Sequence, residues 1–249
     1  MINKGVDIMQ LILCGGGSGE QNYYANKKSN EIIDHSKPLL YIPLAMDENE
    51  HPYDSCYEWI NEELAQVQLS RIDMVRSFEE LAQKDYDNYC ALFIGGGNTY
   101  KLLKGIKDSG AFEKIKEFIN NGGIVIGGSA GAVIFGYDID IISTMDSNDV
   151  ALVDTKGFNV MNGVSIFPHY TNKKSKLSEE ENFARLNNFT NAIKSFSMIN
   201  GDVIAIPEED AIYINDSNIE VLGNRTFYYF KNGNQQKYNF DDKSNTKKL

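Results

Sequence analysis

The chain has 249 residues, 42% of them hydrophobic, which is enough apolar material for one α/β domain of ordinary size. Its 35 acidic residues against 24 Lys and Arg give a formal net charge of −11, a sign that repels the phosphates of nucleic acids. No apolar run approaches the ~20 residues that cross a bilayer, and the amino terminus shows no secretory pattern. We therefore expect a cytoplasmic protein, monomer or homodimer, that binds neither nucleic acid nor membrane.

Short apolar runs alternate with amphipathic stretches through the first two thirds of the chain. Strands are predicted at 11–14, 39–43, 72–75, 91–94, 124–126 and 164–167, and helices at 57–64 and 111–120. This alternation predicts an α/β fold with a mostly parallel sheet and helices on both faces. In such sheets, ligands bind beyond the carboxyl ends of the strands.

The last fifty residues have a different pattern. Short antiparallel strands are predicted at 203–206, 211–214, 219–222 and 226–230. Asn232-Gly233 indicates a hairpin, because both central residues of a type I′ turn need positive φ. We expect these strands to extend a single domain over residues 1–249. Residues 1–8 form an extension ahead of the first strand in this interpretation, and 241–249 a disordered tail.

The run Gly127-Gly128-Ser129-Ala130-Gly131-Ala132 follows the strand 124–126 and fits G-x-S-x-G. Small residues two before and two after the serine let the backbone turn sharply without clashing with neighbouring strands. The turn presents the serine Oγ above the sheet, close to backbone N–H groups that can receive an oxyanion. The alternative is a glycine-rich junction with an incidental serine. The strand before it and the apolar residues 133–135 after it favour a nucleophile.

A serine nucleophile needs a base, and the chain has three histidines. His35 and His51 lie in polar, proline-containing loop sequence, whereas His169 follows the strand 164–167. Ser129 and His169 thus both follow strands, and we predict His169 as the base. The residues alone leave its orienting carboxylate open, the candidates being Asp146, Asp149 and Glu208. Three cysteines without C-x-x-C spacing argue against a disulfide scaffold or zinc site, and we expect no metal or cofactor.

Two glycine runs also follow predicted strands. The first glycine loop is Gly15-Gly16-Gly17 and the second is Gly95-Gly96-Gly97. Such glycines permit close backbone approach, and their N–H groups can face an oxyanion or a phosphate. Neither run has the Lys-Ser/Thr of a P-loop, and the first lacks the acidic residue of a dinucleotide site. We predict an anion cradle at the second loop and a pocket wall at the first.

With these motifs the chain resembles the dipeptidase E (aspartyl dipeptidase) family of serine peptidases, which also contains the cyanophycinases. The segments that carry the resemblance are 13–17, 93–99, 127–132 and 167–170, in the family's order. The resemblance implies a class I glutamine amidotransferase-like, flavodoxin-like fold and a hydrolase of short peptides. It also implies Ser129 as nucleophile, His169 as base, and the N–H groups of Gly97 and Ala130 as oxyanion hole.

The resemblance ranks Asp146 above Glu208 for the triad, because Asp146 stands where dipeptidase E members carry the aspartate. Glu208 falls where cyanophycinase-like members place a glutamate. Asn182 falls at the position of the arginine that binds the acidic side chain in aspartate-selective members, so we expect a weaker aspartate preference, with Arg185 as a substitute cation. The expected substrate-binding residues are Gly16, Asn98, Tyr170, Asn182 and Arg185.

Two alternatives stay open beside a dipeptidase. One is a cyanophycinase-like peptidase or an esterase on the same fold. The other is a non-catalytic small-molecule binding module that has kept the glycine loops, which a long distance between Ser129 and His169 would favour. A glutamine amidotransferase is disfavoured, because that chemistry uses a cysteine at the elbow.

Overall fold

A computed structural model describes residues 9–216, 218–223, 227–238 and 246–248. The strands are β1 (Gln10–Cys14), β2 (Leu39–Ile42), β3 (Ile72–Met74), β4 (Ala91–Ile94), β5 (Ile124–Gly128), β6 (Ser165–Tyr170), β7 (Val203–Pro207), β8 (Ala211–Asn215), β9 (Asn218–Leu222), β10 (Phe227–Lys231), β11 (Asn234–Tyr238) and β12 (Thr246–Lys248). The α-helices are α1 (Tyr23–Ile32), α2 (Tyr53–Glu63), α3 (Phe78–Gln83), α4 (Thr99–Asp108), α5 (Ala111–Asn120), α6 (Ala130–Val133) and α7 (Glu179–Ile199). Short 3-10 turns cover Gly19–Asn22, Tyr86–Asn88 and Ile139–Ile142.

The larger sheet has eight strands in the order β12-β9-β8-β1-β5-β4-β2-β3. The run from β1 to β3 is parallel, and β8, β9 and β12 add to it antiparallel. Every residue of β2 and β4 is buried, as expected for parallel strands covered on both faces. The predicted α/β fold with a mostly parallel sheet flanked by helices is confirmed.

A smaller sheet of four strands has the order β11-β10-β7-β6. In it β6 and β7 pair in parallel, and the other pairs are antiparallel. The turn between β10 and β11 has φ of 49° at Asn232 and 75° at Gly233, so the hairpin prediction is confirmed. The predicted strand 164–167 therefore belongs to this second sheet and does not extend the parallel run of the first.

The carboxyl-terminal strand corrects one expectation. Residues 241–249 are predicted to be a disordered tail, but Thr246–Lys248 pair with Asn218–Glu220 at the edge of the larger sheet. The edge of β9 provides backbone N–H and C=O groups with which the tail can form hydrogen bonds. The polar composition of residues 241–249 gives no indication of this pairing. The extension at 1–8 and residues 241–245 lie outside the described residues. Of the helices in the described ranges, none is long and apolar enough to cross a membrane.

Candidate active site

Ser129 occupies a sharp turn between β5 and α6. Its φ of 50° and ψ of −113° form a backbone conformation that non-glycine residues rarely adopt, a kind of strain common at active sites. A Cβ on Gly127 would lie 2.4 Å from the Gly131 carbonyl oxygen, and a Cβ on Gly131 would lie 2.0 Å from that of Ile94. The elbow therefore needs glycine two residues before and two after the serine, as the motif predicts.

His169 lies in an irregularity of β6. Between the pairs Phe167–Ala205 and Tyr170–Pro207, β6 has two residues where β7 has one. His169 adopts a φ of 55° within this bulge. Bulges bend a strand and redirect a side chain. This one places the imidazole, which belongs to the smaller sheet, beside the elbow of the larger sheet.

The two predicted groups meet. Ser129 Oγ lies 2.8 Å from His169 Nε2, within hydrogen-bond distance. On the other side of the ring, Glu208 Oε2 lies 3.3 Å from His169 Nδ1. Both of these last atoms are buried, and neither makes a hydrogen bond among the described residues, so the 3.3 Å contact is an ion-pair distance between the two groups. A carboxylate here favours the tautomer with the proton on Nδ1, which leaves Nε2 able to accept the serine proton.

Asp146, the carboxylate ranked first from the sequence, is placed elsewhere. Its Oδ2 accepts hydrogen bonds from the backbone N–H of Thr99 at 2.8 Å and from the Thr99 hydroxyl at 2.7 Å. Thr99 begins α4, and the first N–H groups of a helix need acceptors from outside the helix. Asp149 accepts from the hydroxyl of Ser147 and is exposed. The carboxylate beside the His169 imidazole is that of Glu208, the residue ranked second from the sequence, and not that of Asp146.

The first glycine loop joins the two sheets around the imidazole. The N–H of Gly15 donates to Asp210 O at 2.9 Å, and that of Gly17 donates to Glu208 O at 2.8 Å. In return, the Gly15 carbonyl accepts from the N–H of His169 at 2.8 Å. A Cβ on Gly16 would lie 2.0 Å from His169 Cε1, so any side chain there would displace the ring. Glycine at these positions thus positions both His169 and Glu208.

The second glycine loop approaches the serine from β4. A Cβ on Gly96 would lie 3.2 Å from Ser129 Cβ. Gly97 has a φ of 134° and no room for a side chain, because its Cβ would lie 2.4 Å from the Ala45 carbonyl. The backbone N–H groups of Gly97 and Ala130 donate to no atom of the described residues. Both remain able to donate to an oxyanion formed at Ser129.

A cavity of about 450 Å³ opens directly beside Ser129 and His169. Three aromatic side chains, here called the aromatic wall, contribute to its lining: Tyr41, Trp59 and Phe93. Further lining residues are Cys14, Gly16, Gly17, Ser18, Asn22, Asn26, Met46, His51, Ser55, Cys56, Gly96, Gly97, Ile126 and Gly128. Burial raises the pKa of the Cys14 thiol to about 12, and Glu63 adds to the shift. Cys14 therefore stays a neutral, apolar part of the lining at neutral pH.

Of the five residues expected to bind substrate, Gly16 lines this cavity and the other four do not. Asn98 caps α4 by accepting from the Lys101 N–H. Tyr170 is buried, with its hydroxyl at 2.8 Å from Thr190 Oγ1.

Asn182 and Arg185 both support the loop before α7. The Asn182 side chain is buried, accepts from the Lys174 N–H at 2.8 Å and donates to carbonyls of that loop. Arg185 donates to the Asn172 carbonyl at 2.7 Å, and its guanidinium lies 4.6 Å from the centre of the Phe189 ring. Both side chains thus have structural partners and do not line the cavity, and the Arg185 guanidinium also interacts electrostatically with Glu208.

The aromatic wall was not predicted from the sequence. Tyr41 and Phe93 belong to strands in which every residue is buried. The continuous apolar sequence of such strands does not distinguish a residue that lines a cavity from one in the core. The usable signal was Trp59, the one tryptophan of the chain, in a segment correctly predicted to be helical. Large aromatic residues in a polar helix often mark a binding surface.

Known proteins are similar to this chain in sequence and in fold. The sequence signature of peptidase family S51 matches residues 11–222. Peptidase E of Shewanella denitrificans is 30% identical over 237 residues, covering 92% of this chain and 93% of that protein. Peptidase E of Nostoc sp. is 28% identical over 228 residues, covering 87% and 86%. The crystal structure of a peptidase from an acI-B1 Actinobacterium has a TM-score of 0.67 at 17% identity over 98% of both chains, a likeness of fold. This chain therefore belongs to peptidase family S51 and is a serine-type peptidase.

Proposed function

We propose that this protein is a cytoplasmic dipeptidase-like enzyme that cleaves short peptides at their amino end through a triad of Ser129, His169 and Glu208. The observation that carries the proposal is the 2.8 Å distance from Ser129 Oγ to His169 Nε2. A hydroxyl so close to an imidazole can lose its proton as it attacks a carbonyl carbon. The same distance argues against the alternative of a non-catalytic binding module.

In the proposed reaction, Ser129 Oγ attacks the scissile carbonyl carbon while its proton moves to His169 Nε2. The carbonyl oxygen of the substrate gains negative charge and accepts hydrogen bonds from the N–H groups of Gly97 and Ala130. When the C–N bond breaks, the imidazolium gives its proton to the leaving amine, and the acyl group stays on the serine as an ester. Water, deprotonated by the same imidazole, then releases the acid and restores the serine.

Glu208 acts through His169 and not on the substrate. Its Oε2 lies 3.3 Å from Nδ1, where a carboxylate stabilises the imidazolium that forms during each proton transfer. The charge is buried beside the ring and thus little screened by solvent. Glu208 is in this respect a positioning residue.

The size of the cavity favours short substrates. About 450 Å³ is within the range of ~300–1,000 Å³ of small-molecule sites. A polymer such as cyanophycin needs a long open groove. A cyanophycinase-like or esterase activity uses the same catalytic groups, so only the substrate distinguishes these alternatives.

The test combines covalent labelling with a substrate panel. A fluorophosphonate probe is expected to label the wild-type protein at Ser129, with peptide mapping to locate the adduct. The panel contains Ala-Leu, Asn-Leu, Asp-Leu, β-Asp-Arg and p-nitrophenyl acetate. We expect a dipeptide to give the highest kcat/KM. Ser129→Ala should lower kcat at least ~10⁴-fold, because no other group supplies the nucleophile.

Ser143→Ala is the matched control, since Ser143 is an exposed serine outside the cavity. It should keep wild-type labelling and turnover. Labelling at another serine, or turnover that survives Ser129→Ala, would refute the nucleophile. A kcat/KM for β-Asp-Arg or for the ester far above that for every dipeptide would replace the dipeptidase by the corresponding alternative.

A further inference from the structure

The aromatic wall is one continuous apolar surface built from three elements. Tyr41 lies on β2, Trp59 on α2 and Phe93 on β4. The ring centres are 5.8 Å apart for Tyr41 and Phe93, and 6.4 Å for each of the two pairs with Trp59. These are contact distances for aromatic rings. Each ring thus supports the other two, which gives the wall a defined shape.

No Lys, Arg, Asp or Glu side chain lines this cavity in the part of the chain that the structure describes. Neither Lys101 nor Arg185 lines the cavity: Lys101 donates to the Met46 carbonyl, and Arg185 donates to the Asn172 carbonyl and interacts electrostatically with Glu208. A carboxylate that enters this mostly apolar cavity meets the imidazoles of His51 and His169 and neutral hydroxyl and amide groups. Among the described side chains it meets no guanidinium or ammonium that would offset the full loss of its hydration. The net charge of −11 also disfavours an acidic ligand.

The cavity and the reacting groups share residues. Ser129 and Gly97 line the cavity, and in the proposed reaction Ser129 attacks the carbonyl group while the N–H of Gly97 binds its oxygen. The Cα atom bonded to this carbonyl carbon carries the side chain of the residue on the acyl side. The side chain on the acyl side of the scissile bond can therefore reach the cavity that Ser129 and Gly97 line.

We infer that the cavity binds the side chain of the substrate's amino-terminal residue and selects an aromatic or large aliphatic one over an acidic one. The inference rests on the proposed function, because it places that residue at Ser129. Its physical basis is the removal of apolar surface from water against the aromatic wall.

The first experiment compares kcat/KM for Phe-Leu, Leu-Leu, Ala-Leu and Asp-Leu. We expect Phe-Leu to exceed Ala-Leu at least ~10-fold, and Asp-Leu to be the poorest of the four. Trp59→Ala should reduce the ratio of Phe-Leu to Ala-Leu severalfold. Tyr57→Ala is the matched control and should keep the ratio. Tyr57 lies on the same helix and is 37% exposed against 38% for Trp59, but it does not line the cavity.

A binding measurement tests the inference without turnover. Trp59 is the only tryptophan of the chain, so intrinsic fluorescence reports directly on this wall. Titration of Ser129→Ala with Phe-Leu should change that emission at a concentration at least ~10-fold lower than titration with Asp-Leu. This measurement and the wild-type series need no change in the wall itself, so a misfolded Trp59 variant would not leave the inference unresolved.

The outcomes separate the two proposals. If no peptide is cleaved by the wild-type protein, the proposed function fails, and the titration still decides the pocket's preference. If cleavage depends on Ser129 but Asp-Leu matches or exceeds Phe-Leu, the function stands and this inference is overturned. A series of Leu-X peptides that varies more than the X-Leu series would also overturn it, because the cavity would then bind the leaving residue.

Discussion

Two carboxylates near the active-site loops have different partners. Glu208 faces the imidazole of His169, whereas Asp146 accepts two hydrogen bonds from Thr99 at the start of α4. A carboxylate beside a catalytic imidazole acts on the reaction, and one at a helix start acts on local structure. Their replacement by the corresponding amides should therefore have different effects.

We expect Glu208→Gln to lower kcat by about 10³–10⁴-fold with little change in KM or melting temperature, because the imidazole loses its tautomer control and its counter-charge. Asp146→Asn is the matched control. An asparagine oxygen can still accept from Thr99, so kcat should stay close to the wild-type value. Steady-state kinetics on one dipeptide, with a melting curve for each variant, measures both effects.

A large loss of kcat in Asp146→Asn together with an unchanged kcat in Glu208→Gln would instead assign the triad role to Asp146. A loss of kcat in Glu208→Gln that is matched by an equal loss of folded protein would show a structural role only. The split between kcat and KM separates these cases, since a loosened fold weakens substrate binding as well.

Ser129 and His169 could be predicted because each comes directly after a short apolar run of the sequence. The expected reason for their closeness, a shared rim of one sheet, does not apply, since the two residues belong to different sheets and the bulge in β6 brings the imidazole to the serine. Glu208 could not be singled out in that way. Its position depends on the pairing of β7 with β6 and on the bond from Gly17 to its carbonyl, both contacts between distant parts of the chain. The same holds for Asn98 and Arg185, whose polar groups have structural partners that only the folded chain reveals.

At the scale of single elements, the elbow between β5 and α6 allows a paired stability test. A Cβ on Gly131 would lie 2.0 Å from the Ile94 carbonyl oxygen, whereas a Cβ on Gly128 meets nothing within 4 Å. We expect Gly131→Ala to destabilise the protein by about 1–3 kcal/mol, because β4 and α6 must separate. Gly128→Ala should change the free energy of unfolding by less than about 0.5 kcal/mol.

Urea unfolding of both variants, followed by circular dichroism, gives this comparison. Equal stabilities would mean that the elbow adjusts without cost, and the steric reason for glycine at position 131 would then be wrong. A loss confined to Gly128→Ala would contradict the open space found on that side of the serine.

Helices whose apolar residues recur on one face could be predicted from the sequence, and helices without such a face could not. Helix α5 matches the predicted bounds 111–120, since its apolar residues lie on one face. Helix α1 buries only Ala25 and Ser29, so its sequence has no apolar stripe from which the helix could be predicted. Helix α7 was not predicted because its apolar residues do not keep to one face, and Phe183 and Ile199 are exposed.

At the scale of the whole molecule, the two sheets share one hydrophobic core. The buried cluster runs from Leu11 in β1 to Phe230 in β10, and the first glycine loop adds backbone hydrogen bonds between the sheets. Elements that share a core tend to unfold together. We expect the loss of peptidase activity in urea, which needs the smaller sheet, to coincide with the change in Trp59 fluorescence, which reports on the larger one.

Coincidence should hold within the error of the two midpoints, measured on the same equilibrated samples. Activity lost at clearly lower urea would show that the smaller sheet opens first as a separate unit. The control is Tyr57→Ala, which leaves the cavity lining unchanged and should keep the two midpoints together.

The division of the proposed triad between two sheets has a consequence for the growing chain. Ser129 is synthesised 40 residues before His169, and Glu208 follows later still. At ~5–20 residues per second, a nascent chain carries a finished elbow for seconds without the base that activates it. Hydrolysis begins only when β6 and β7 have docked and the bulge in β6 has brought the imidazole to the serine. In the proposed mechanism, a nascent chain that still lacks His169 and Glu208 is therefore unable to hydrolyse the peptides around it.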